Sequence, residues 1–372
     1  MKEQPEVIVC VGTGGVGKTT VSSAIGMTGA LGGKKTLVMT IDPAKRLAQS
    51  MGIKELKNTP TPVPLKALQQ CGQPIRGSLD AMILETQTTF NNLIKKYSSS
   101  PQKADAILNN SYYHYVSGEL AGSEDYMAME KLYEIKKDYD YDLIVVDTPP
   151  ARHAINFLTA PNRLIQLISS GVLKWLIRPS TSMSMIGFNI LNRAPQKIVK
   201  LLKSYVGLEI VEELTEFFSE FNDLYSGFKS RAKEVHDLLA SPRVQFYMVT
   251  APTREAIEEA VYFYSIMKGY EIHFAGFIVN KIHPLLYNDA GRAQSSRIIR
   301  TLDQDDPLRI TLEQTLTMDS IALHDQELIA YLKSKVRSQK IAYYLSSLIM
   351  DRELMNLCSL VTIAQALDGI LG

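Results

Sequence analysis

Nine consecutive residues, Gly12-Thr13-Gly14-Gly15-Val16-Gly17-Lys18-Thr19-Thr20, have the spacing Gly-x-x-x-x-Gly-Lys-Thr. These residue types at this spacing bind phosphate. The glycines let the backbone curl without Cβ clashes, so successive N–H groups point inward as an anion-binding nest. Lys18 is placed to reach the β- and γ-phosphates of a nucleoside triphosphate, and the Thr19 hydroxyl to bind Mg2+. Thr20 sits where an α-phosphate contact is expected. Such a loop needs a strand before it and a helix after it, whose N-terminal end adds positive potential. Both are predicted. Val7-Ile8-Val9-Cys10-Val11 reads as a buried parallel strand, and Val21 to Leu31 reads as a helix.

Two acids stand at the ends of other predicted strands. Leu143-Ile144-Val145-Val146 runs into Asp147-Thr148-Pro149-Pro150. An acid there, downstream of a phosphate loop, would hold Mg2+ through its water shell. The segment after it, through Arg152 and His153, would sense the γ-phosphate as a switch. Thr36 to Ile41 is a second strand that ends in Asp42-Pro43-Ala44-Lys45-Arg46. Ligands of open α/β sheets bind at the carboxyl ends of strands. Asp42 is thereby placed to orient an attacking water or to enter the Mg2+ shell. It also suits a helix N-cap before Pro43 at the first helical position, and both roles are compatible. Asn280 ends the strand Ile272 to Val279, where its amide could read the edge of adenine; a strand-end turn is the plainer alternative.

The remaining pattern supplies the frame. Asp80 to Glu85, Arg243 to Thr250 and Ala342 to Ile349 read as strands. Helices are predicted at Thr86 to Lys96, Lys103 to Leu108, Tyr126 to Lys137, Arg254 to Lys268, Asp289 to Leu302, Asp319 to Val336 and Leu357 to Ile370. Asn58 to Pro64 reads as an extended surface loop. From Ala154 to Ala240 the strand signal disappears. Leu164 to Ile177 is apolar nearly all round, and Met183 to Leu191 is rich in methionine. Leu214, Phe218, Phe221, Tyr225, Phe228, Ala232, Val235 and Leu239 then step by fours and threes, as one long amphipathic helix would.

The expected fold class is α/β: a P-loop NTPase with a central, mostly parallel sheet flanked by helices, plus a large inserted α-helical subdomain. The nucleotide domain is expected at 1–86, 138–160 and 241–372, and the helical one at 87–137 and 161–240. The helical part either buries its own core or offers an adaptable apolar surface to a hydrophobic client or partner.

Bulk properties narrow the partners. The chain of 372 residues has a formal net charge of +1, which gives no electrostatic case for nucleic acid or an anionic membrane. No run of about 18 apolar residues occurs, so no stable membrane insertion is expected. Cys10, Cys71 and Cys358 lie far apart, form no C-x-x-C and are expected to stay unpaired in a reducing cytoplasm.

These motifs together resemble one family. Gly12 to Thr20, Thr40-Ile41-Asp42-Pro43-Ala44, Asp147-Thr148-Pro149-Pro150 and the central helical insertion are similar to those of the arsenite-pump and tail-anchored-protein-targeting (anion-transporting) ATPases. The resemblance implies Mg-dependent ATP hydrolysis by a dimer that sandwiches two ATP molecules and moves between open and closed forms. It implies that Asp42 positions water, that Lys18 and Thr19 hold phosphate and Mg2+, that Asp147 belongs to the second switch and that Asn280 contacts adenine.

Two departures stand out. The family carries a lysine just after the first glycine of the loop, where this chain has Thr13. A cation on developing phosphoryl charge is worth roughly 10³-fold or more. Its replacement is expected from Lys45, Arg46 or Arg152, or from a lysine-bearing paralogue in a heterodimer. In the latter case this chain would be a weakly hydrolysing, nucleotide-binding scaffold rather than half of a homodimer. The zinc-binding C-x-x-C and the clustered metalloid-binding cysteines of the family are also missing.

Overall fold

The computed structural model describes residues 6–42, 46–64, 75–110, 113, 123–149, 230–270, 272–336, 341–346 and 357–367. Lys45, Arg152, the Met183–Leu191 stretch and the start of the long amphipathic helix lie outside the described residues. The chain divides into two compact units: Met1–Leu84 with Ile135–Ile155 and Leu239–Gly372, and Glu85–Glu134 with Asn156–Leu238.

The first unit is built on an eight-stranded sheet. Its strands are β1 (Val7–Gly12), β2 (Lys35–Thr40), β3 (Thr61–Pro62), β4 (Ser78–Ile83), β5 (Leu143–Asp147), β6 (Val244–Thr250), β7 (His273–Ile282) and β8 (Ile341–Ser346). Their order across the sheet is β3-β4-β2-β5-β1-β6-β7-β8. All pairings are parallel except that of β3 with β4, at the edge. β3 lies in the stretch expected to be a loop. It is two residues long, and Pro62 in it has no N–H to donate, which suits an edge position.

β1 and β5 are buried along their whole length, as expected of parallel strands covered on both faces. Helix α1 (Lys18–Leu31) follows β1, and α2 (Arg46–Ser50) follows β2. The C-terminal α9 (Leu357–Ala366) packs on α1, where the Thr28 hydroxyl donates to the Ala364 carbonyl at 3.1 Å. α6 (Arg254–Met267), α7 (Asp289–Ile299) and α8 (Pro307–Lys335) are further described helices of this unit. α8 begins twelve residues before the predicted Asp319. Asp306 caps it by accepting from the Leu308 N–H, and Pro307 occupies its first turn. No helix among the described residues is long and apolar enough to cross a membrane.

The described part of the second unit is helical: α3 (Thr86–Tyr97), α4 (Pro101–Leu108) and most of α5 (Ser123–Asp138), with residues 230–238 also helical. Ala232 and Val235, two members of the predicted apolar stripe, are fully buried. Arg231 beside them donates to Glu130 of α5 at 2.6 Å, and its guanidinium stacks 3.6 Å from the Tyr133 ring centre. This buried pair ties the two helices together, since removing one partner would strand the other charge.

One expectation about cysteine does not hold. Cys358, on α9, is disulfide-bonded, with a partner outside the described residues. Cys10 is a free thiol buried in β1, and burial pushes its pKa up to about 12.

Candidate functional site

The loop between β1 and α1 lies at the carboxyl end of the sheet, and two glycines in it have clear steric reasons. A Cβ on Gly12 would sit 2.2 Å from the Val249 carbonyl oxygen of β6, so the strand can leave the sheet here only as glycine. Gly17 caps α1 at φ 90°, a left-handed conformation that costs a glycine little. The turn ends with Lys18 folded back. Its Nζ donates to the Thr13 carbonyl at 2.7 Å. Burial lowers the Lys18 pKa, while Asp147 and Asp42 oppose that shift by favouring the charged form. The ammonium is therefore held inside the loop, within electrostatic reach of both acids singled out in the sequence.

Asp147 is the centre of a buried hydroxyl cluster. Its Oδ2 accepts from the Thr19 hydroxyl at 2.8 Å and from the Thr40 hydroxyl at 3.0 Å. Its Oδ1 accepts from Ser22 at 3.4 Å. Burial nevertheless raises its pKa to about 6, against the lowering effect of Thr19, Thr40 and Lys18. An anionic oxygen this deep, beside the loop hydroxyl of Thr19 and short of a full counter-charge, forms a hard oxygen donor set that fits Mg2+. Among the described residues no group of three or more His, Cys, Asp or Glu side chains could hold a metal by itself.

Thr40 belongs to the motif Thr40–Ala44 but is given no role of its own by the sequence. It stands opposite Asp147 in the β2–β5 register and is 1% exposed. Besides donating to Asp147, its hydroxyl oxygen accepts the Asp42 N–H at 3.2 Å. One hydroxyl therefore links the Asp147 carboxylate to the backbone of Asp42. The signal lay in the alternation of the strand, because Thr40 and Asp42 are two residues apart. Thr40→Val, nearly isosteric, is expected to cost about 1–3 kcal/mol in denaturant unfolding by taking a donor from a buried carboxylate. It is also expected to slow ATP turnover about tenfold, with Thr40→Ser restoring both.

Asn280 and Lys281 reach the outer side of the loop. Asn280 Nδ2 donates to the Val16 carbonyl at 2.8 Å, and Lys281 Nζ donates to the Gly15 carbonyl at 2.6 Å. The Asn280 Oδ1 is buried and has no partner. Arg46, the first residue of α2, is exposed, yet near enough to Lys18 for its charge to help lower the lysine pKa.

A parallel sheet with a phosphate loop at the end of β1, an acid at the end of β5 and a loop lysine folded onto its own backbone defines a P-loop nucleotide hydrolase. Within that class the chain belongs to the anion-transporting ATPase family, whose model matches residues 5–301. It is similar to the Aquifex aeolicus proteins named arsenical pump-driving ATPase 1 and 2. The first is 24% identical over 75% of this chain, and the second 26% identical over 73%. The chain spans 63% of the length of the first and 79% of the second. The ATPase GET3 of Komagataella phaffii is 32% identical over 42% of this chain and 45% of its own length.

Proposed function

We propose that the protein hydrolyses ATP in a Mg2+-dependent way and uses the cycle to switch a dimer whose helical unit holds a hydrophobic client or partner protein. The observation that carries the reading is the chain of contacts Thr19–Asp147–Thr40–Asp42. It joins the phosphate loop to two strand ends through one buried carboxylate and one hydroxyl.

The residues divide the work. The loop amides and the Lys18 ammonium bind the phosphates, with Lys18 moving from the Thr13 carbonyl to the phosphate oxygens. Thr19 and Asp147 would hold Mg2+, Asp147 through water. When bound, the ion would neutralise charge on the β- and γ-phosphates. Asp42 orients the attacking water and accepts its proton. The buried, unpaired Asn280 Oδ1 is an acceptor that the adenine amino group would satisfy. When the γ-phosphate leaves, Asp42 and Asp147 lose their common ligand, and Thr40 transmits the change between their strands.

A client role is drawn from kinship with GET3 and from the long apolar helical pattern, and the dimer from the same kinship. Metalloid activation is not part of the reading, because Cys10 is buried and Cys358 is in a disulfide.

A second reading rests on Thr13. Its side chain is 6% exposed, and its carbonyl is occupied by Lys18, so it brings no cation to a partner's nucleotide. On this reading the chain pairs with a lysine-bearing paralogue and turns over slowly alone. Phosphate release by the purified protein separates the two. Release with Mg2+ that stops when the metal is chelated supports the first. ATP binding without release until the paralogue is added supports the second. No binding of ATP under either condition overturns both.

A further inference from the structure

Successive residues of a strand point to opposite faces of a sheet. Asn280 and Lys281 do not: both donate to the same loop, to the carbonyls of Val16 and Gly15. The backbone shows how. The β7–β8 register shifts between Val279 and Ile282, so β7 holds one more residue there than its partner. Lys281 absorbs it at φ 62°, and no other described non-glycine residue has a positive φ. A bulge of this kind re-aims a side chain, and a lysine in the left-handed region is strained. Glycine or asparagine would hold that backbone at lower cost. The position nevertheless carries the residue with the long cationic arm, and the arm ends 2.6 Å from a phosphate-loop carbonyl.

We propose that Lys281 is a positioning residue for the phosphate loop. Its ammonium holds the Gly15 carbonyl outward, beside the Val16 carbonyl held by Asn280, which keeps the intervening amides turned toward the phosphates. The lysine also places a fixed positive charge on a loop whose second position, Thr13, has none. The strain of the bulge is retained because only this backbone brings both side chains to one side of the strand. The inference rests on the ATP reading for its consequence in binding, but the clamp itself exists without nucleotide.

The test compares Lys281→Met, Lys281→Gly and Lys281→Arg in the full chain. Hydrogen exchange of the peptide spanning Gly12–Gly17 is followed first, without nucleotide. Loss of one charge-assisted hydrogen bond is expected to speed it about tenfold in the methionine and glycine variants. The arginine variant should stay near the wild type. KM for ATP should rise about tenfold in the same two variants, with kcat changing much less and arginine again rescuing. Lys281→Gly keeps the left-handed backbone and relieves its strain, so its melting temperature should not fall. Unchanged loop exchange in both uncharged variants would overturn the proposal. So would wild-type behaviour of Lys281→Gly alone, which would assign the effect to the backbone. A fall in kcat at constant KM would overturn it too, by making Lys281 a catalytic cation. Failure of the wild type to bind ATP would strike the functional reading and leave the exchange result to judge the clamp.

Discussion

Asp42→Asn is expected to bind ATP as well as the wild type and to hydrolyse it about 10²–10³-fold more slowly. The substitution keeps the size of the side chain, and the backbone N–H can still donate to the Thr40 hydroxyl. What it removes is a carboxylate that can orient water and take its proton. It also removes a negative charge close enough to Lys18 and Asp147 to influence the protonation of both. ATP brings further negative charge to the same place, so affinity should hold or tighten once that charge is gone. Single-turnover phosphate release together with equilibrium ATP binding is the measurement. Turnover within a few-fold of the wild type would remove Asp42 from the chemistry. A parallel loss of affinity would make it a structural cap on the strand end.

Asp147→Asn is expected to abolish Mg2+-dependent turnover while stabilising the nucleotide-free protein at neutral pH. The carboxyl has a pKa of about 6 in the fold and 3.8 when exposed. Between those values the folded chain holds more protons than the unfolded one, so stability falls as pH rises. The penalty is absent below about pH 4 and complete above about pH 7. Its full size is at most about 3 kcal/mol, since a tenfold change in proton affinity is worth about 1.36 kcal/mol. Asparagine can still accept from Thr19 and Thr40 but cannot ionise. Its melting temperature should therefore exceed that of the wild type by a few degrees at pH 8 and match it near pH 4. Mg2+ with ATP should raise the melting temperature of the wild type more than that of the variant. Equal melting temperatures at pH 8 would mean that the buried carboxylate is already fully compensated.

Sequence patterns disclosed the centre of this site better than its periphery. The loop, Asp42 and Asp147 were legible because each is an unusual residue at the end of an apolar strand. Thr40 is an ordinary strand residue until the β2–β5 register sets it against Asp147, and register is a property of two distant segments. Lys281 follows Asn280 in the sequence, but its reach depends on a bulge, and a lysine gives no hint of a left-handed backbone. The early start of α8 was missed because Leu308 and Ile310 in its first turns are exposed and disturb the apolar period, although Asp306-Pro307 marked the cap. The disulfide at Cys358 could not be foreseen, since pairing depends on which sulfurs approach in space.

The strand order has a bearing on biosynthesis. β1 comes first among the described strands, but its two neighbours are β5 and β6, and the helix behind its loop is covered by α9, the last of the described helices. Val7 finds Ile144 only after a long intervening stretch has been made, and Val244 later still. Such distant pairings are slow to form. Until then β1 remains a β-branched, uncharged segment without its neighbours, which makes it the natural foothold for a chaperone.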